Sequence, residues 1–257
     1  MKPSDEGMKY GRWVDEWKAE IDDDWYFKMF FEPLINCASP VIDSLTERGG
    51  LLLDLGCAEG RKTRLLDRYG VTVVGLDINK EAIKIGASIT PSTLFVVGDM
   101  QALPFKDESL DMVFSSSVLQ LADWRRAIRE CRRVIKKDGR AVFIENLRGN
   151  VFAKGYRLAR RVARYRYPKT EIPVAHIEWG ERREFEEVFS ETEFDVFHVM
   201  TPMLLVVPAL NHLLRGTQIQ MSGRWVYRLL YRIDSWLLRR FPAVANWGWM
   251  LVVKATK

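Results

Sequence analysis

A single α/β domain, built on a seven-stranded and mostly parallel sheet with helices on both faces, is the fold this sequence predicts. Three observations predict it. Short aliphatic and β-branched runs alternate with helix-forming stretches across residues 51–145, the rhythm of strand–crossover–strand units. The first run, LLLDL, breaks into the glycine-bearing turn GCAEG before a basic helix begins. Two strand-like runs near the end, separated by a long insertion, suit an antiparallel closing strand on the otherwise parallel sheet.

The elements follow in order. Residues 1–50 mix Trp13, Trp17, Trp25, Tyr26, Phe27, Phe30 and Phe31 with acids and read as an N-terminal helical cap. Residues 51–55 form the first strand and 63–68 open a helix. Residues 71–76 are β-branched and read as the second strand, followed by a helix over 80–86 and a strand over 94–97. A strand over 111–115, a helix over 124–136, an Asp138-Gly139 turn and a strand over 141–144 complete the core. Beyond it, 181–189 predicts a helix, 194–199 and 247–254 predict strands, and 146–179 and 200–243 read as insertions on the substrate side.

Composition narrows the class. A chain of 257 residues can bury a full core, and 47% hydrophobic with 28% charged residues is ordinary for a globular protein. Cys37, Cys57 and Cys131 are odd in number and widely spaced, which excludes a disulfide framework and any zinc-ligand spacing; no metal site is expected. The start, MKPSDEGMKYGRW, lacks the apolar centre of a signal peptide, and the apolar stretch 202–214 is too short to span a bilayer. A cytoplasmic location is expected, with peripheral attachment to the inner membrane surface left open.

The turn after the first strand sits where doubly wound sheets bind ligands. Gly56 and Gly60 let the backbone bend and approach a ligand, and the helix that follows offers unpaired N–H groups to an anion. Asp77 ends the second strand about twenty residues on, where an acid accepts from ribose hydroxyls. The D-x-G-x-x-x-G spacing differs from the G-x-G-x-x-G of nicotinamide-dinucleotide sites, and a second acid, Asp99, follows the third strand.

The run DLGCAEG, the acid closing VVGLD, the stretch GDMQALPFKDESLDMVFSSSVLQ and the stretch RECRRVIKKDGRAVFIE together resemble the class I S-adenosylmethionine-dependent methyltransferases, motifs in order, over residues 51–145. The resemblance implies a Rossmann-like fold and S-adenosylmethionine as cofactor, with S-adenosylhomocysteine as product. It implies that Asp54, Gly56, Cys57, Ala58 and Gly60 form the loop around the methionine part and that Asp77, followed by Ile78, holds the ribose. Asp99 and Met100 would flank the adenine, and Ser115 and Ser116 would face the methionine amino group or the sulfonium. Ala58 replaces a common glycine, a change expected to be silent, and Gln120 stands where many relatives have histidine. Each has a plainer alternative: Asp54 as a helix cap, Asp77 as a turn residue, Met100 as core, the serines as packing, and Cys57 as a small buried side chain.

Methyl transfer needs an acceptor held in line behind the methyl carbon, and a hydroxyl acceptor benefits from a base. His176 and Glu178, in PVAHIEW, are the candidates, with a solvated or structural role as the alternative; His198 and His212 are weaker. The serines at 115–117 replace the N/D-P-P-Y/F turn of adenine and glutamine methyltransferases, which favours transfer to oxygen over nitrogen. Arginines at 148, 157, 160, 161, 164 and 166, with Lys154, form one basic insertion. In the other, Arg224, Arg228 and Arg232 recur every four residues, with Trp225, Val226, Leu229, Leu230, Ile233, Trp236 and Leu237 expected on the opposite face. Such patches suit a lid helix with solvated arginines, an anionic membrane surface, or the phosphates of a lipid carrier or nucleic acid. A small-molecule or lipid-linked acceptor is expected first, a nucleic-acid acceptor or a non-catalytic partner protein second, and the oligomeric state is not legible.

Overall fold

The computed structural model describes residues 30–46, 49–60, 63, 66, 71–90, 93–162, 175–205 and 223–257. The cap aromatics Trp13, Trp17, Trp25, Tyr26 and Phe27, most of the helix expected over 63–68, His212 and the arginines at 164 and 166 lie outside them. The described helices and strands are α1 (Glu32–Thr46), β1 (Leu51–Leu55), β2 (Thr72–Asp77), α2 (Lys80–Ile89), β3 (Leu94–Val97), β4 (Leu110–Ser116) and α3 (Trp124–Val134). They continue with β5 (Ile135–Asn146), α4 (Val151–Val162), α5 (Arg183–Val188), β6 (Glu191–Phe197), α6 (Gly223–Arg240) and β7 (Met250–Thr256).

One seven-stranded sheet runs in the order β3-β2-β1-β4-β5-β7-β6. Every pair from β3 to β5 is parallel, and β7 is antiparallel to both β5 and β6. The antiparallel strand is therefore internal and the free edge falls to β6, not to the closing strand. The sheet reverses its winding between β1 and β4, which opens a crevice beyond their carboxyl ends.

Both faces are covered, which is why the strands read as continuous apolar runs. Leu53, Leu55, Val74, Leu76, Val113, Phe143 and Val253 face α3 and α5, where Trp124 stacks on Phe185 at 5.5 Å. Leu52, Val73, Phe114, Val142, Ile144 and Val252 face α1 and α6. Along α1 the fully buried Leu34 and Ile42 each contribute roughly 1.5–3 kcal/mol by leaving water. Arg125 fastens α5 to α3 through Glu181 and, at 2.9 Å, Glu184.

Some boundaries move, for local reasons. The α3 helix ends at Val134, and Lys136 belongs to β5; the Asp138-Gly139 pair is absorbed as a left-handed residue (Asp138 φ 63°) inside an irregular strand start. The helix expected over 181–189 begins as a 3-10 turn, Trp179–Arg182, because Glu178 and Glu181 form a reciprocal capping pair there. The strand expected to reach 199 stops at Phe197, where His198 takes a left-handed φ of 64°.

Candidate cofactor and acceptor site

The β1 strand ends in a turn that glycine makes possible. Gly56 has φ 71° and donates to the Leu76 carbonyl at 2.7 Å; a Cβ there would lie 2.3 Å from the Val118 side chain. Gly60 has φ 73°, and its Cβ would meet the Phe95 ring at 2.9 Å. The Val118 contact places the turn against the segment after β4, in the crevice where the sheet reverses, and the Phe95 contact sets its far end against β3. Asp54 is buried and receives the Thr63 hydroxyl, tying the strand to the helix that follows the turn. Its carboxylate thus fixes the loop from beneath.

Asp77 is buried at the end of β2 and lies directly under the turn. One carboxylate oxygen accepts the Ala58 N–H at 2.8 Å and the other the Asn79 N–H at 2.8 Å. Burial pushes its carboxyl above the usual range, opposed by those amide bonds. A carboxylate has about four lone-pair sites, so two amides leave acceptor capacity for hydroxyls. Asn79 in turn caps α2 through Glu81 and Ala82 N–H. Beside the acid, Ile78 is 72% exposed, an apolar side chain held out at the crevice. Asp99 accepts the Gln101 N–H at 2.8 Å in a tight bridge to Ala102, and Met100 packs part-buried against the core. The two acids and Ile78 thus gather at neighbouring strand ends.

Ala58 has φ 49°, in the region that favours glycine. Its replacement of glycine is therefore not silent: an L-residue there costs roughly 1–2 kcal/mol. Cys57 is buried beside Asp54 and Asp77, and burial, with those two charges, pushes its thiol up, out of nucleophile range.

At the end of β4 the serines divide. Ser115 is fully buried and donates to Glu145 at 3.0 Å, so it supports the site from behind instead of facing a ligand. Ser116 is half-buried at the strand end. Glu145, at the end of β5, also receives the Val118 and Leu119 N–H groups at 3.3 Å and so fixes the loop that touches Gly56. Its strand-end position, like those of Asp54 and Asp77, was the sequence signal for it. Ser117 carried no such signal. It is left-handed (φ 59°), and its hydroxyl is buried with no hydrogen-bond partner among the described residues. The side-chain carbonyl of Gln120 is in the same condition, while its amide donates to the Ser117 carbonyl at 3.2 Å. Buried orphans beside strained backbone are what a ligand's polar groups satisfy.

The two expected bases part company. Ala175 N–H bonds the Gln120 carbonyl at 2.8 Å and Ile177 bridges to Leu147, which lays half-buried His176 across the carboxyl ends of β4 and β5. Glu178 is exposed, caps the 3-10 turn and pairs with Arg148 at 3.1 Å. Its carboxylate is engaged as surface structure, and part of the expected basic patch is neutralised with it. His198 is no base either: it is fully buried between the Phe30 carbonyl (3.0 Å) and the Thr201 hydroxyl (2.9 Å) among aromatic rings, and burial lowers it to about 4.

A depression of about 690 Å³, lined by Asp107, Glu108, Arg129, Arg132, Arg133 and Lys257, lies at the amino-terminal edge of the sheet. It contains none of these residues. Among the described residues no cluster of three or more His, Cys, Asp or Glu side chains could hold a metal ion, and no helix is long and apolar enough to cross a membrane.

Residues 53–143 match the family model described as a methyltransferase domain. The demethylmenaquinone methyltransferase of Thermotoga maritima is 37% identical over 102 residues, covering 38% of this chain and 44% of that protein. A malonyl-[acyl-carrier protein] O-methyltransferase of Coxiella burnetii is 36% identical over 95 residues, covering 36% of this chain and 32% of the relative. The matches thus span less than half the length of these curated relatives. A solved structure of a possible histamine N-methyltransferase from Thermotoga maritima aligns over 98% of this chain and 99% of that one, at 16% identity and a TM-score of 0.59. That likeness extends the fold beyond the matched segment.

Proposed function

We infer that this chain, which carries a class I S-adenosylmethionine-dependent methyltransferase domain, transfers the methyl group of that cofactor to an oxygen of a small-molecule or lipid-linked acceptor. The observation that carries the reading is the Gly56–Gly60 turn held on the Asp77 carboxylate, with Ile78 exposed beside it. When bound, S-adenosylmethionine supplies a methyl group on a positively charged sulfur. The turn's left-handed glycines give room for the methionine part, Asp77 accepts from the ribose hydroxyls, and Ile78 and Met100 offer apolar surface to the adenine. Asp99 accepts from its amine.

The acceptor half follows from position. Ser117 and Gln120 present unsatisfied polar atoms at the end of β4, and His176 lies over the same strand ends. Ser117 and Gln120 would orient the acceptor, and His176 would take the proton of its hydroxyl. Positioning of this kind contributes roughly 7–11 kcal/mol toward the barrier, and a base a further factor of about 10²–10⁴. The printed names of two relatives are a demethylmenaquinone methyltransferase and a malonyl-[acyl-carrier protein] O-methyltransferase, and the second supports transfer to oxygen.

Two measurements test this. S-adenosylhomocysteine should bind by calorimetry and raise the melting temperature, while NADH should do neither. Labelled cofactor should then transfer its methyl to hydroxylated acceptors and not to RNA. Binding of NADH alone would sink the cofactor reading, and labelled RNA would move the acceptor to nucleic acid.

A further inference from the structure

We propose that the outward face of α6 docks on an anionic membrane surface. The helix is amphipathic in an unexpected sense. Its packing face is Tyr227 and Asp234, with Val226, Leu230 and Tyr231 against the α1 side of the core. The face opposite carries the tryptophans together with the arginines: Trp225, Leu229 and Trp236 are 63%, 50% and 55% exposed, and Arg228, Arg232, Arg239 and Arg240 are exposed among them. Leu229, Arg232 and Trp236 stand at i, i+3 and i+7, one stripe of a helix. Sequence periodicity alone places the tryptophans and the arginines on opposite faces.

Among the described residues, Leu229 and Trp236 stay exposed, and so do the arginines beside them. Apolar side chains of this size project where burial against the sheet is geometrically excluded. Among the described residues no ion pair involves Arg228, Arg232, Arg239 or Arg240, and the helix's one acid, Asp234, is buried and turned inward to the backbone of Val199, Met200 and Thr201. Trp236 meets Phe241 edge-to-face at 5.9 Å and the Arg240 guanidinium lies 5.5 Å from the Phe241 ring, so the stripe continues past the helix end. Indole rings with guanidinium groups beside them suit the headgroup layer, where the ring meets acyl chains and the cation meets phosphate. The charge decides the occupant: a row of arginines with no acid paired to it among the described residues selects anionic lipid.

The geometry also sets the orientation. Asp234 fastens α6 to the segment directly after β6, at the carboxyl edge of the sheet, so a membrane under the outward face lies beside the edge that holds the candidate site. The proposal stands apart from the methyl-transfer reading, because docking needs neither cofactor nor acceptor.

Flotation of the full chain tests it without either ligand. With phosphatidylcholine vesicles carrying about one-third phosphatidylglycerol, the protein should float, and raising salt from about 0.1 M to about 0.5 M should release most of it. The pair Leu229→Ser and Trp236→Ser should cut partitioning about tenfold or more by removing apolar burial. Arg228→Gln with Arg232→Gln should cut it similarly, and both variants should keep the parent's melting temperature because the side chains are exposed. Three results overturn the proposal: no flotation, equal flotation with pure phosphatidylcholine, or unchanged flotation of both folded variants. An RNA gel shift at physiological salt that the arginine variant abolishes, with no flotation, would assign the face to nucleic acid instead.

Discussion

At the β1–β4 end of the carboxyl edge, backbone conformation builds the site: Gly56, Ala58, Gly60 and Ser117 are all left-handed, and Asp77 is held by two amides. At the β5–β6 end, side chains hold the backbone. Asn150 donates to the carbonyls of His198, Val199 and Trp247 while its own carbonyl receives the Ala153 N–H at the start of α4. Asp234 receives the N–H groups of Val199, Met200 and Thr201, and His198 reaches across to Phe30. The difference is one of what a substitution disturbs. A change in the first region alters a ligand's fit, whereas a change in the second detaches α4 or α6 from the sheet.

Asp234→Ala is the harshest test of that contrast. It strands three amides in a dry site, each at about 1–3 kcal/mol, for a loss on the order of 3–5 kcal/mol once the site relaxes. Chemical denaturation should show the unfolding free energy falling by that amount, with Asp234→Asn falling less because its carbonyl keeps part of the set. A loss under about 1 kcal/mol would mean that α6 is not held by this carboxylate.

Acidification probes the same region through His198. Burial lowers its imidazole from 6.5 to about 4, so the unfolded chain binds a proton that the folded chain refuses in that window. Its contribution is present in full above 6.5 and is lost as the pH falls toward 4, a change of about 3 kcal/mol. The Thr201 hydroxyl, 2.9 Å from Nδ1 and 3.0 Å from Asp234, links the imidazole to the same carboxylate that holds α6. Melting temperature should therefore drop steeply through this window in the parent and more shallowly in His198→Gln. Parallel curves would place the acid sensitivity elsewhere.

These two regions were not equally legible. Left-handed turns demand glycine and strand-end acids interrupt apolar runs, so Gly56, Gly60, Asp54 and Asp77 announced themselves. Long-range side-chain bonds leave no local trace. Nothing around Asn150 or Asp234 indicates that one binds residues 48 or more positions away and the other 33–35. The partition of α6 failed for a related reason: periodicity identified an amphipathic helix but could not say that the buried stripe is the one holding Tyr227 and Asp234.

Asp77→Ala sharpens the comparison from the cofactor side. Of its two amide partners, Ala58 lies in a turn that the glycines and the Leu76 carbonyl also hold, and Asn79 is anchored as the cap of α2, so the fold should survive. The lost acceptor is worth roughly 1.5–3 kcal/mol of cofactor binding, at least a tenfold rise in Kd for S-adenosylhomocysteine. Because burial raises the Asp77 carboxyl, parent affinity should weaken on acidification sooner than an ordinary aspartate would allow. An unchanged Kd would put the ribose elsewhere.

The smallest effect is the most discriminating, because it should have the opposite sign. Ala58 is left-handed at φ 49°, and a methyl group in that region costs roughly 1–2 kcal/mol, part of which glycine gives back as extra freedom in the unfolded chain. Ala58→Gly should therefore raise stability by about 0.5–1 kcal/mol, seen as a higher denaturation midpoint with an unchanged slope. The Ala58 N–H that donates to Asp77 is kept, so cofactor affinity should hold or improve slightly. A destabilised glycine variant would mean that the turn adopts a right-handed residue at this position in solution. The Asp77 contact would then be missing too, and the site would be ordered only when the cofactor arrives.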